Sequence, residues 1–99
     1  MIDVLDLKPF GPLEILVPIE HQQLDEWETK NHANKPVFVP SIEVFNWLQN
    51  NRIKTSHRIE PVFLKETTAG ERVIITKAFV TIISFSDAKA LMLFKLTFQ

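Results

Sequence analysis

The longest uncharged apolar run in this chain is AFVTIISFS, from Ala78 to Ser86. It sits in a segment rich in Val, Ile, Thr and Phe, residue types that suit a pleated, half-buried surface. Both of its alternating sets are apolar: Phe79, Ile83 and Phe85 on one side, Val80 and Ile82 on the other. A strand that is apolar on both faces is covered on both, so this run predicts a central strand. Upstream, HRIEPVFLKE supplies a partner, and TTAG between them supplies a turn, with Gly70 available for a positive φ. The pattern predicts a β-hairpin over 58–85, with strands at about 58–66 and 71–85. The second strand would extend about 50 Å, longer than most, so a bend or bulge is expected near Lys77.

Two segments carry helical periodicity. In PSIEVFNWLQNNRI, Val44, Phe45 and Leu48 share a face, flanked by Ile42 and Trp47. Ser41 stands where an N-cap is needed, and Asn50 and Asn51 are stop residues. This predicts a helix near 41–51. In SDAKALMLFKLTF, Ser86 or Asp87 caps a helix near 87–98 that carries Leu91, Phe94 and Phe98 on one face. Met92, Leu93 and Leu96 spread apolar surface round the rest, so this helix is buried or covered by another chain. From Leu93 onward a strand is the rival, because Phe94, Leu96 and Phe98 alternate with Lys95 and Thr97. The N-terminal half is less regular. Leu13–Val17, between prolines, predicts a short edge strand. IEHQQLDEWETKN predicts a short surface helix with a thin apolar side of Ile19, Leu24 and Trp27. KNHANKP is a loop, followed by a short apolar run, Val37 to Val39.

These elements make one α+β domain over 1–99: an antiparallel sheet built on the 58–85 hairpin, with the helices near 41–51 and 87–98 packed on it. The chain of 99 residues is 45% hydrophobic and 23% charged, as globular proteins are. It has no cysteine, which removes disulfides, thiolate metal sites and cysteine nucleophiles, and which fits a reducing, cytoplasmic setting. Its two glycines, Gly11 and Gly70, cannot build a phosphate-binding loop, a dinucleotide fingerprint or a nucleophile elbow. His21, His32 and His57 show no metal-ligand spacing. No catalytic, cofactor-binding or metal residue is therefore assigned, and the chain reads as a non-enzyme. The opening MIDVLDLKPF has no basic run and does not read as a secretion signal, and no apolar stretch is long enough for a membrane span.

Charge is the one uneven property. Residues 1–49 hold three basic and eight acidic side chains, whereas residues 50–99 hold eight basic and four acidic ones. Two clusters carry the asymmetry. LDEWE sets Asp25, Glu26 and Glu28 around Trp27. It is either a solvated helix with its Trp turned inward, or an acidic surface with an aromatic anchor for a basic partner. NRIKTSHRIEP gathers Arg52, Lys54, His57 and Arg58. It is either a solvated connection or a phosphate-contacting patch.

The ending VTIISFSDAKALMLFKLTFQ resembles small tailed-phage proteins in which a strand leads into an Asp-Ala helix closing on LFKL and an aromatic. Here those residues are Asp87, Ala88, Leu93, Phe94, Lys95, Leu96 and Phe98. Phe98 stands where that pattern has Trp followed by Gly. The resemblance covers the last fifth of the chain. It implies a phage origin, with the host cytoplasm as the setting, and no mechanism. The expectation is a non-catalytic binding protein that acts through contact with another protein, a host protein among the candidates. Two alternatives stand beside it: a nucleic-acid-associated protein using Arg52–Arg58, and a self-assembling subunit. Self-association as a homodimer is expected, because two helices offer too little cover for Phe79–Phe85 and Ala90–Phe98 together.

Overall fold

The structure, a computed structural model, describes residues 2–99. It is an α+β domain. In chain order it contains β1 (Ile2–Leu5), β2 (Glu14–Leu16), β3 (Gln22–Leu24), α1 (Glu26–Asn31), β4 (Phe38–Pro40), α2 (Ile42–Asn50), β5 (Thr55–Thr67), β6 (Val73–Phe85) and α3 (Ala88–Phe98). Four strands form one antiparallel sheet in the order β1-β5-β6-β2, and β3 and β4 pair separately.

The β5–β6 hairpin is the spine. Its thirteen-residue strands pair one to one from Thr55 opposite Phe85 to Thr67 opposite Val73. No bulge interrupts them, so of the bend or bulge expected near Lys77 the bulge does not occur. At about 3.4 Å per residue such a strand reaches about 44 Å, and the longest dimension of the molecule is 41 Å. The turn also differs from expectation. Gly70 does not have a positive φ; the left-handed residue is Glu71, at φ 59°. The turn closes through Glu71 N–H to Thr68 O and Thr68 N–H to Arg72 O, and these bonds hold Glu71 in that conformation.

β1, which the sequence pattern does not mark, pairs with the far end of β5 from Ile2 opposite Glu66 to Leu5 opposite Phe63. Continuing it would bring Leu7 level with Pro61, which has no N–H to give. The strand stops there and the chain turns away at Asp6, φ 61°. β2 is the short edge strand expected between prolines, and pairs with β6 from Glu14 opposite Ser84 to Leu16 opposite Ile82.

Both expected helices form and pack on one face of the sheet, at the end where the hairpin strands begin and finish. The core there joins Ile15, Val17, Ile83 and Phe85 of the sheet region to Val44 and Leu48 of α2 and Ala90, Leu91 and Phe94 of α3. Phe94 is fully buried. Its ring lies 5.4 Å from Phe85, 5.9 Å from Trp47 and 4.9 Å from Phe98, tilted or edge-on in each case. Asp87 caps α3, its Oδ1 accepting from Ala90 N–H at 2.8 Å. That cap holds the C-terminal segment as a helix over its alternative as a strand. Ser41 sits at the N-cap of α2, but its hydroxyl makes no hydrogen bond; its backbone carbonyl accepts from Val44 and Phe45 N–H.

The surface helix expected across Ile19–Asn31 does not form as one piece. A 3-10 turn at Ile19–His21 leads into β3, and only Glu26–Asn31 is α-helical. Pairing of Gln22–Leu24 with β4 overrides the helix formers in QQL. No helix among the described residues is long and apolar enough to cross a membrane.

Candidate functional site

The acidic cluster falls on the first turn of α1. Asp25 is the N-cap, accepting from Glu28 N–H through Oδ1 at 3.0 Å. The turn is tied to the body at its backbone. Asp25 N–H donates to Val37 O at 2.9 Å, the Thr29 hydroxyl donates to Asp25 O at 2.7 Å, and Val37 N–H donates to Thr29 Oγ1 at 3.1 Å. At the other end His32 Nδ1 meets Glu28 O at 2.8 Å, and its ring lies 4.7 Å from that of Phe79. None of the side chains of α1 is buried.

Trp27 is 69% exposed on this pinned turn. It is not turned inward. Glu26 beside it is exposed, and Leu24 is half-exposed. An indole normally repays burial. Here the fold holds the backbone under it and leaves the ring in water.

The four basic candidates do not form one patch. Arg52 follows the C-terminal end of α2 in a left-handed turn at φ 54°. With Lys54 and Lys89 it rims a hollow of about 440 Å³ whose apolar lining includes Ile53, Ala90 and Leu93. Asp87 also lines it. His57 and Arg58 are neighbours on β5, so they point to opposite faces of the sheet. Arg58 is bound to carboxylates on its face: its Nη1 pairs with Glu14 and its Nε donates to Glu60 Oε1 at 2.7 Å. Glu14 in turn accepts from Gly11 N–H at 2.7 Å. Arg58 thus holds the β2 edge against the hairpin and has little charge to spare for a ligand.

His57 stands on the helix-covered face, 5.7 Å edge-on from Phe45. Loss of hydration there lowers its pKa below the ordinary value of 6.5. His57 and Arg58 also line a second groove, of about 420 Å³, with Asp25 and Glu28 on its other side and Phe45, Pro40 and Ile59 between. Asp25 and Glu28 of one segment and His57 and Arg58 of another, far apart in sequence, therefore line one groove running from α1 to α2. Sequence reasoning missed Lys89 and Phe45 as members of these surfaces; only the packing of α3 and α2 brings them in. Among the described residues no cluster of three His, Cys, Asp or Glu side chains is arranged to hold a metal ion.

Comparison of the chain with protein-family models, curated proteins and solved structures finds no match in any of the three.

Proposed function

We propose that this chain is a non-catalytic binding protein that recognises another protein through the Asp25–Glu28 surface, with Trp27 as its anchor. The C-terminal resemblance supports a phage origin, and with it a host protein as partner and the host cytoplasm as setting. One observation carries the reading: the 69% exposure of Trp27 on a turn whose backbone is hydrogen-bonded to the body. A rigidly presented aromatic loses little freedom on binding, and Trp is favoured among residues that dominate binding energy. Asp25, Glu26 and Glu28 add an acidic surround that steers a basic partner and is weakened by salt.

The test is capture of partners from host lysate, read by mass spectrometry, followed by affinity measurement on the partner found. Truncation of such an anchor costs about 2 kcal/mol or more, about thirtyfold in Kd. Trp27→Ala should lose at least that much affinity while melting like the parent, and Glu26→Lys with Glu28→Lys should slow association. Unchanged affinity in both variants would remove the proposal.

A second reading has its own observation, the hollow rimmed by Arg52, Lys54 and Lys89. Three cations around one hollow suit phosphates, and the nucleic-acid alternative rests on them rather than on Arg58. Arg52→Glu with Lys54→Glu tests it. Binding of a single-stranded oligonucleotide that falls steeply with salt and disappears in this variant would favour it over the first.

A further inference from the structure

β6 leaves part of one edge open. Along this strand the odd-numbered residues direct their backbone groups away from β5. Phe79 N–H donates to Pro36 O, Phe85 N–H to Leu13 O, and Thr81 N–H meets Gln22 Oε1. The same alternation turns the N–H and C=O of Val73, Ile75 and Lys77 outward, beyond β2 and beyond the Val37–Phe79 bridge, where no strand is paired among the described residues. The side chains there are apolar and exposed: Val73 50%, Ile74 45% and Ile75 59%. Proteins guard such edges with prolines, bulges, inward charges or covering loops. This one has a straight, bulge-free pairing to β5, no proline and one charge, Lys77.

We propose that this edge is a self-recognition strand, pairing antiparallel with the same segment of a second copy across a two-fold axis at Ile74. The register follows from hydrogen bonding and charge together. Outward-facing residues must meet outward-facing ones, so only registers matching odd with odd are allowed. With Ile74 on the axis, Val73 meets Ile75 of the second copy, and Glu71 comes level with its Lys77. Symmetry makes each contact twice. The two Ile74 side chains then form a non-hydrogen-bonded pair, the closest kind across strands. The chain of the second copy reverses at its Thr68–Arg72 turn, before it reaches the level where Pro36 covers Phe79. Pairing joins two three-stranded ends into a six-stranded sheet. The contact is shorter than those of stable dimers, so the dimer is weak and forms at high local concentration. It uses the tip of the hairpin and is independent of the Trp27 surface.

The absence of cysteine allows a clean trap. Across a non-hydrogen-bonded pair Cα atoms lie about 4.5 Å apart, within disulfide range. Under mild oxidation Ile74→Cys should give a covalent dimer, and Val73→Cys, whose counterpart is Ile75, should give much less. Adding Lys77→Glu to Ile74→Cys sets carboxylates opposite each other twice and should suppress the dimer; adding Glu71→Lys as well should restore it. Circular dichroism confirms that each variant is folded, which these exposed sites permit. Equal trapping at Ile74 and Val73, or no effect of the charge reversal, overturns the proposal. So does a chain that stays monomeric at millimolar concentration and whose edge is protected only by a strand from a different protein.

Discussion

β6 is one strand in two environments. From Ala78 to Phe85 its edges are bordered by β5 on one side and by β2 and the Val37 segment on the other, and its side chains are buried or nearly so. From Val73 to Lys77 only β5 is paired and all five side chains are exposed. The two halves have similar side chains, VIITK against AFVTIISF. What differs is cover: α2 and α3 reach only the second half. Burying a large aliphatic side chain is worth about 1.5–3 kcal/mol. The first half therefore holds unspent burial that folding of one chain does not use, and that association can.

The largest expected effect separates the two halves by stability. Phe94→Ala, which empties the packed end, should cost about 3–5 kcal/mol in denaturant melts. Ile75→Ala in dilute protein should stay within about 0.5 kcal/mol, as an exposed site does. Comparable losses at both would mean that the distal half is core after all. A smaller effect sits at the hairpin tip. Left-handed backbone costs a residue with a Cβ about 1–2 kcal/mol, so Glu71→Gly should stabilise by about 1 kcal/mol, whereas Gly70→Ala should be neutral to mildly stabilising. Measured Tm values that reverse this order would return the left-handed position to Gly70.

The smallest effect concerns pH at the packed end. Partial loss of hydration lowers the pKa of His57, which keeps an exposed edge, so the folded state prefers the neutral ring only slightly. The folded pKa lies below the unfolded one. The contribution of His57 is therefore complete above about 6.5 and is lost as pH falls from there through the lowered folded value. Melts of His57→Gln against the parent should converge in slope above neutral pH. Below it the parent should lose stability more steeply. Parallel profiles across that window would mean that contact with Phe45 costs the His57 ring no hydration.

The long periodic elements were legible from sequence. The hairpin, α2 and α3 each carry enough apolar repeats to outweigh local noise, and Asp87 marks the start of α3 by its own chemistry. The short ones were not. Ile2–Leu5 is too brief to show an alternation, and Gln22–Leu24 becomes a strand only because β4 lies beside it. The tip turn misled because glycine is the residue best able to take positive φ, whereas hydrogen bonds between Thr68, Glu71 and Arg72 decide which residue takes it. The acidic cluster was legible as a surface since its residues are contiguous on one turn. The exposure of Trp27 was not, as one aromatic on a thin apolar side fits either orientation. The basic cluster looked continuous in sequence and is divided in space, because strand alternation sends His57 and Arg58 to opposite faces.

Amide hydrogen exchange along β6, measured in dilute and in concentrated protein, tests the two-environment account most directly. The outward amides of Phe79 and Phe85 have backbone acceptors within the chain and should exchange slowly at both concentrations. Those of Val73, Ile75 and Lys77 should exchange fast in dilute protein. At concentrations approaching millimolar they should slow, while the inward amides of Ile74 and Thr76 change little. Slow exchange at Val73 and Ile75 in dilute protein, or rates that do not depend on concentration, would contradict an open edge awaiting its second copy.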